Sequence, residues 1–327
     1  MAQPANTFSS YDSVGNREDL DDVIWDVSPN ETPALSMFTK NNASAINHEW
    51  QTDRLTPANA GLATIEGDDA TTRNVTPTTR LGNFTQIVED TIRVTTTQEE
   101  INKAGRGSEL NYQLVRSGLY LKTSMEAIIL ANQAKVGGTD ILARRLAGVP
   151  TWLVSNTNSP AGTGAAGANP DTNRPAAADG TAARTDEAAA NQRAFDEVDL
   201  RAVVRKAWDN GGNPNLGLVG SLTKDTFAGF NGNSTKFKDV EDRRIFNAAD
   251  IYESNFGQLA VVPDRFLRQR DALALQTDMW AISFLHGMRQ QDLAITGLSK
   301  RRQIYVEFTL EARNEAASGG VFDLLEE

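Results

Sequence analysis

The chain contains no cysteine and only two histidines, His48 and His286. The first absence excludes disulfide scaffolds, thiolate metal sites and thiol nucleophiles. The second leaves too few imidazoles for a multi-histidine metal centre. No stretch approaches the roughly 20 consecutive apolar residues of a membrane-spanning helix. Met1 to Asn16 is polar and lacks a basic patch followed by an apolar core, so it does not read as a secretory signal and a soluble intracellular product is expected. Cations are in deficit: 32 Lys and Arg face 43 Asp and Glu, a formal charge of −11. That balance argues against broad nucleic-acid binding, which needs clustered cations against phosphate. No Lys occurs between Asn41 and Asn102, so this stretch offers no amine for isopeptide cross-linking.

What is present is globular in composition, 39 % hydrophobic over 327 residues, enough for two or three core-bearing units. Residues 1–46 read as an arm. It holds one short helix around Leu20, Val23, Ile24, Trp25 and Val27, closed by Ser28-Pro29 and broken again at Pro33. Residues 47–100 read as an extended β-ribbon. The strand His48-Glu49-Trp50-Gln51-Thr52-Asp53 leads to a polar tip at Glu66-Gly67-Asp68-Asp69, and Phe84 to Thr97 returns as a β-branched run. A lone ribbon is marginal in water, which suggests a partner surface.

Ser108 to Val136 carries the strongest helical signal, a stripe of Leu110, Leu114, Leu121, Met125 and Ile128 ahead of the stop Gly137-Gly138. Such a helix would span about 42 Å and form a spine. Residues 155–190 include twelve Ala, four Gly and three Pro, without aromatic or large aliphatic side chains, and in isolation read as a flexible insertion. A second helix is expected over Asp196 to Trp208, with Leu200, Val203, Val204, Ala207 and Trp208 buried. Strands follow at Leu216 to Val219, Ala249 to Ser254, Leu259 to Val262, Ala272 to Gln276, Met279 to Leu285 and Gln303 to Glu311, and a short helix over Leu222 to Phe230. In the last strand Ile304, Val306, Phe308 and Leu310 alternate with polar residues. The fold class is α+β with extended appendages.

Candidates for chemistry are thin. His48 and Glu49 are neighbours on a strand and point to opposite faces, so they are not a general-base couple. His286 reads as a turn or interface histidine. No G-x-S-x-G elbow, Walker A or H-E-x-x-H motif occurs. Glu66, Asp68 and Asp69 could bind a hard cation, but the spacing lacks the other ligands of a calcium loop, and a solvated or intersubunit-paired tip is favoured. Gly105-Arg106-Gly107 before the spine reads as a hinge ahead of an anion site. Lys300-Arg301-Arg302 is the only dense basic run and reads as a solvated turn or an interface ion pair. Neither a metal nor a cofactor is expected. The ribbon's arginines, Arg54, Arg73, Arg80 and Arg93, have planar forks suited to ion pairs across subunits.

In order along the chain stand Val14-Gly15-Asn16-Arg17-Glu18-Asp19-Leu20, the tryptophan-bearing strand at 48–53, Glu66-Gly67-Asp68-Asp69-Ala70 and Arg80-Leu81-Gly82-Asn83-Phe84-Thr85-Gln86-Ile87. Lys103-Ala104-Gly105-Arg106, Ala207-Trp208-Asp209-Asn210-Gly211-Gly212-Asn213-Pro214, Val261-Val262-Pro263-Asp264-Arg265-Phe266 and Val306-Glu307-Phe308-Thr309-Leu310-Glu311-Ala312-Arg313-Asn314-Glu315 follow. This series resembles the major capsid proteins of tailed bacteriophages, which have the Hong Kong 97-type fold. Residues 155–190 have no counterpart in that pattern.

The resemblance implies an arm (1–46), an extended loop (47–100), a peripheral domain with the spine (101–154, spine 108–136, and 286–327), the insertion (155–190) and an axial domain (191–285). It implies self-association into hexamers and pentamers of an icosahedral virion head, assembled in the host bacterial cytoplasm around double-stranded DNA without sequence-specific binding. Portal and decoration proteins are further partners of such a shell. With so short a leader before the ribbon, a separate scaffolding protein, or none, is expected. The excess of negative charge would keep the inner wall from adhering to DNA. Contacts between subunits are expected at Trp50, Arg54, Glu66, Asp68, Asp69, Arg73 and Arg80 of the loop and Arg17, Glu18 and Asp19 of the arm. The alternative is a bacterial nanocompartment shell of the same fold, which would enclose a cargo enzyme in place of DNA.

Overall fold

The computed structural model describes residues 31–56, 58–70, 72, 75, 77–103, 105–159, 173–230 and 251–326. The helix expected over 19–27, Arg17, Glu18, Asp19 and Arg73 lie outside them.

Chain entry is a short helix, α1 (Pro33–Met37). Pro33 starts this helix where the sequence suggested a break, because at the first helical position its missing N–H has no intrahelical partner to lose. Strands β1 (Thr39–Asn42), β2 (Asn47–Thr52), β3 (Thr79–Phe84) and β4 (Gln86–Thr95) follow. Next come α2 (Thr96–Glu100), α3 (Glu109–Leu130), α4 (Val149–Trp152) and β5 (Thr157–Asn158). The remainder is α5 (Glu197–Asp209), β6 (Leu216–Val219), α6 (Ser221–Ala228), β7 (Ile251–Ser254), β8 (Gly257–Pro263), β9 (Ala272–Leu275), β10 (Trp280–Asp292), β11 (Ser299–Ala312) and β12 (Gly319–Val321).

A four-stranded sheet runs β1-β10-β11-β4. Its centre is the long antiparallel pair β10/β11, and β11 is flanked on its other edge by β4. Ile304, Val306, Phe308 and Leu310 are buried, so the alternation legible in the sequence sets the inward face of β11. The basic run Lys300-Arg301-Arg302 begins this strand and is not a turn. Spine helix α3 crosses the sheet, burying Leu110, Leu121, Met125, Ile129 and Leu130.

The spine is 22 residues long, about 33 Å, and stops before the expected glycine pair. Tertiary contacts end it. The Gln133 carbonyl accepts the Gly148 N–H at 3.1 Å, and the Asn132 and Gln133 amides donate to Arg184 and Leu146 carbonyls. Gly148 lies so close that an added Cβ would stand 2.0 Å from the Ala131 carbonyl oxygen.

A six-stranded sheet runs β5-β12-β9-β6-β8-β7. Helix α5 lies on it and buries Leu200, Val203, Val204 and Ala207. Trp208, expected in that buried stripe, is 55 % exposed and rests on Phe256 with 5.3 Å between ring centroids. One apolar core containing Trp152, Trp280, Phe308, Phe322, Leu218 and Leu273 joins the two sheets. A second, around Leu200, Val203, Phe227 and Val261, fills the far side of the six-stranded one.

Residues 173–190 of the Ala/Gly-rich segment pack on the body, where the sequence suggested a free loop. The Lys135 N–H donates to the Gly180 carbonyl at 2.8 Å, and Asn132 and Arg184 exchange two hydrogen bonds of 2.9 Å. The Arg184 guanidinium lies 3.7 Å from the centre of the Phe322 ring, and Asp186 pairs with Arg268 at 2.9 Å. Backbone ordering is offset by polar clips and a cation–π contact, which composition does not reveal.

Gly148→Ala should destabilise the subunit by more than about 2 kcal/mol, because a backbone carbonyl has nowhere to move. Gly107→Ala, whose added methyl meets nothing within 4 Å, should stay within about 1 kcal/mol of wild type. Denaturant unfolding of the dissociated subunits checks both.

Candidate intersubunit surface

The extended loop leaves the body through a short ribbon. Strands β2 and β3 pair in antiparallel register over six positions, from Asn47 opposite Phe84 to Thr52 opposite Thr79. The return run then departs at Thr85 and continues as β4 in the four-stranded sheet, so the two long paired strands expected from sequence are one short pair. Trp50 anchors it: the indole N–H donates to the Ala312 carbonyl at 2.8 Å, and the ring lies 5.4 Å from that of Trp152. Arg80 and Glu49 form an ion pair across the ribbon, with Nε to Oε2 at 2.8 Å. Arg54 donates to Asn210 at the end of α5 at 2.8 Å. Three of the predicted loop residues are therefore engaged within their own chain.

Beyond the ribbon, the described residues of 53–78 form no helix or strand. Leu55, Leu62, Ile65 and Val75 are 92, 83, 78 and 82 % exposed. Sequence reasoning passed over these four, because isolated aliphatics among Thr, Pro and Gly follow no period. Their signal is aliphatic content in a segment unable to fold alone. The tip is a turn in which the Asp68 N–H donates to the Ile65 carbonyl at 3.2 Å and Gly67 takes a φ of +85°. Glu66, Asp68 and Asp69 are exposed, and among the described residues no ion pair joins them. Burying an aliphatic side chain of this size is worth about 1.5–3 kcal/mol. The described residues of the loop thus present unburied apolar area beside negative charge that pairs with none of them.

The remaining candidates for chemistry are engaged within the body. His48 Nε2 lies 3.3 Å from both Glu311 Oε2 and Ser283 Oγ. Both contacts fall on one ring nitrogen, so the imidazole cannot relay a proton between them. His286 sits within β10, beside register shifts, and its Nδ1 lies 3.1 Å from Glu307, which Arg144 also contacts at 2.8 Å. Arg302 pairs with Asp292 at 2.7 Å, and Arg301 donates to the Thr296 hydroxyl. At the head of α3 the anion is internal: the Glu99 carboxylate accepts the Ser108 hydroxyl at 2.6 Å and the Glu109 and Leu110 N–H groups at 3.1 and 3.3 Å. The Ser108 bond, followed by the helix amides and Lys103, holds Glu99 below its usual range. Arg106 pairs with Glu109. Among the described residues no cluster of three or more His, Asp or Glu could hold a metal ion, and no helix is long and apolar enough to cross a membrane.

This arrangement of two sheets sharing a core, with a spine helix across one of them, is similar in overall fold to solved phage structures. A Gordonia phage Cozz structure matches with a TM-score of 0.59 at 11 % identity, covering 98 % of this chain and 96 % of that one. The capsid structure of cyanophage P-SCSP1u matches at 0.59 and 10 % identity, over 97 and 99 %. At such identities the likeness is one of fold, the Hong Kong 97-like α+β capsid fold.

The SU10 major capsid protein family model matches residues 3–325, and the chain belongs to that family. The major capsid protein of Escherichia phage Phieco32 is 29 % identical over 352 residues, covering 98 % of each chain. The protein is accordingly a phage major capsid protein, a component of the virion.

The environment of Glu311 carries a pH signature. The His48 contact, with Arg313 and Asn41, lowers its carboxyl to about 2 from an ordinary 4.5, against the opposing effect of burial. A depressed carboxylate contributes stability that is present above pH 4.5 and lost as pH falls towards 2. Glu311→Gln should lower stability at pH 7 and flatten the acid limb over that window; unfolding midpoints recorded against pH test it.

Proposed function

We propose that the protein self-assembles into hexamers and pentamers of an icosahedral head that encloses double-stranded DNA without reading its sequence. The observation that carries this reading is the loop at 53–78, with four large aliphatics in water and three carboxylates at its tip that form no ion pair among the described residues. A surface of that kind gains burial by lying on a neighbouring copy, and rotational symmetry turns one such contact into a ring. Glu66, Asp68, Asp69 and Arg73 are the proposed polar contacts of the loop, with Leu55, Leu62, Ile65 and Val75 as its apolar ones. Trp50, Arg54 and Arg80 hold the loop's base in position and present their exposed edges to the neighbour. Arg17, Glu18 and Asp19 serve the arm.

The four-stranded sheet with the spine is taken as the peripheral domain. The six-stranded sheet with α5 and α6 is taken as the axial domain. This partition moves residues 280–285 to the peripheral side of the expected boundary and Gly319–Val321 to the axial side. The role is structural, without catalysis or cofactor. Assembly takes place in the host bacterial cytoplasm, and scaffolding, portal and decoration proteins are the further partners this role implies.

Electron microscopy of the purified protein, alone and from lysates, tests the reading: closed shells are expected. Asp68→Arg combined with Asp69→Arg should sharply reduce particle yield while changing subunit stability by no more than about 0.5 kcal/mol, as exposed positions do. Unchanged yield and heat resistance of the particles would show that the tip is not an interface.

A further inference from the structure

Two carboxyl groups away from the candidate intersubunit surface lie together in the interior. Glu126, on the inner face of α3, has no exposed surface, and Asp264, just after β8, is 1 % exposed. Glu126 accepts the Ala34 N–H at 2.6 Å through one oxygen and the Leu35 N–H at 2.7 Å through the other. These are the first free amides of α1, since Pro33 has none. The residue at the cap position, Thr32, makes no side-chain cap, and its buried hydroxyl has no partner. The spine therefore supplies the cap that the entry helix lacks.

Asp264 closes the cluster from the opposite side. Its Oδ1 accepts the Phe266 N–H at 2.8 Å, while Oδ2 is buried without a fixed donor. That oxygen's carboxyl faces Glu126, and a hydrogen bond between two carboxyls requires a proton on one of them. Among the described residues no cation pairs with either carboxyl. Helix α1 carries no titratable side chain, and Glu31 ahead of it and Arg265 beyond Asp264 are exposed. Lys122, one turn back on α3, makes no ion pair with Glu126, and Arg268 is committed to Asp186 and Asp271.

We propose that Glu126 and Asp264 share one proton as a latch, which holds the entry helix to the spine and releases residues 33–38 when the proton is lost. Two ionised carboxylates brought together in the buried interior repel strongly, and the short helix bonded to one of them is the element on which that repulsion acts. Burial, then the Asp264 contact, pushes the Glu126 carboxyl up to about 8, against the pull of the two amides. A raised acid stabilises the closed form fully below its ordinary value of 4.5; that stability declines as pH rises and is gone above about 8. The latch is thus shut in neutral solution and opens in mildly alkaline solution. It acts within one subunit and is independent of the shell geometry proposed above.

Hydrogen exchange of the purified full-length chain, normalised for intrinsic base catalysis, tests the latch in peptides covering 31–38 and, as a reference, 304–310 of β11. From pH 7 to pH 9 protection of the entry peptide should fall about tenfold, the Boltzmann weight of one pH unit beyond the transition. The β11 peptide should hold. In Asp264→Asn the carboxamide donates to an ionised Glu126, so the entry peptide should stay protected throughout. A level wild-type response, an equal fall in Asp264→Asn, or a parallel fall in β11 would each overturn the proposal. Should Asp264→Asn fail to fold, the wild-type titration with its internal reference decides by itself.

Discussion

Strand β11 is the constraint on which the rest of the architecture depends. It pairs with β10 on one edge and β4 on the other, and its inward residues, Val306, Phe308 and Leu310, belong to the core that joins the two sheets. Its backbone also fastens the appendages. The Ala312 carbonyl holds the Trp50 indole, the Leu310 carbonyl holds the Asn83 amide, and the Thr309 hydroxyl donates to the Phe84 carbonyl. The ribbon's direction is set where it crosses this strand. Glu307 and Glu311, also on β11, receive both histidines of the chain.

From that anchor outward, burial falls away in a way that separates body from appendage. Val94 at the end of β4 is 7 % exposed, whereas Leu55 in the loop is 92 % exposed. Both are aliphatic side chains in a segment with high β content or little structure. The difference is that β4 pairs with β11 and packs against the spine, while Leu55 is covered by nothing among the described residues. In the proposed shell this division is functional: the body is stable before assembly, and the loop keeps apolar area to bury on a neighbour.

The parts of this fold legible in the sequence are those governed by one local period. The alternation at Ile304, Val306, Phe308 and Leu310 gave the inward face of β11, and the three-four spacing of Leu121 and Met125 gave the inner face of the spine. Where a distant contact outweighed the local signal, expectation and structure part. Asn132 and Gln133 bond to carbonyls far along the chain and end the spine early. Arg184 and Asp186 fasten a segment whose composition promised no order. Trp208 fits the apolar stripe of α5 by number, yet it lies at the open end beside Phe256 and stays half in water. The loop's charged tip was found because Glu66, Asp68 and Asp69 cluster in sequence, while its four aliphatics, spread between 55 and 75, were not.

The acidic composition has a structural use that net charge conceals. Glu126 caps α1, Glu99 caps α3, and Glu315 accepts the Val154 and Ser155 N–H groups at the end of α4. Each is a carboxylate brought from another element to backbone amides that have no partner of their own. A local cap, such as the Ser108 hydroxyl that accepts the Asn111 N–H of α3 at 3.2 Å, satisfies amides without joining two elements. A carboxylate from elsewhere satisfies them and fixes the angle between the elements as well. Such caps are invisible to sequence patterns, because the residue that signals them stands 10 to 161 positions away. Two of the three differ in their electrostatics. The Ser108 hydroxyl, the helix amides and Lys103 hold Glu99 below its usual range, whereas burial and Asp264 push Glu126 up, so that the pair keeps a proton. The same chemical device therefore gives a permanent joint between α2 and the spine and a conditional one between the spine and the chain's entry helix.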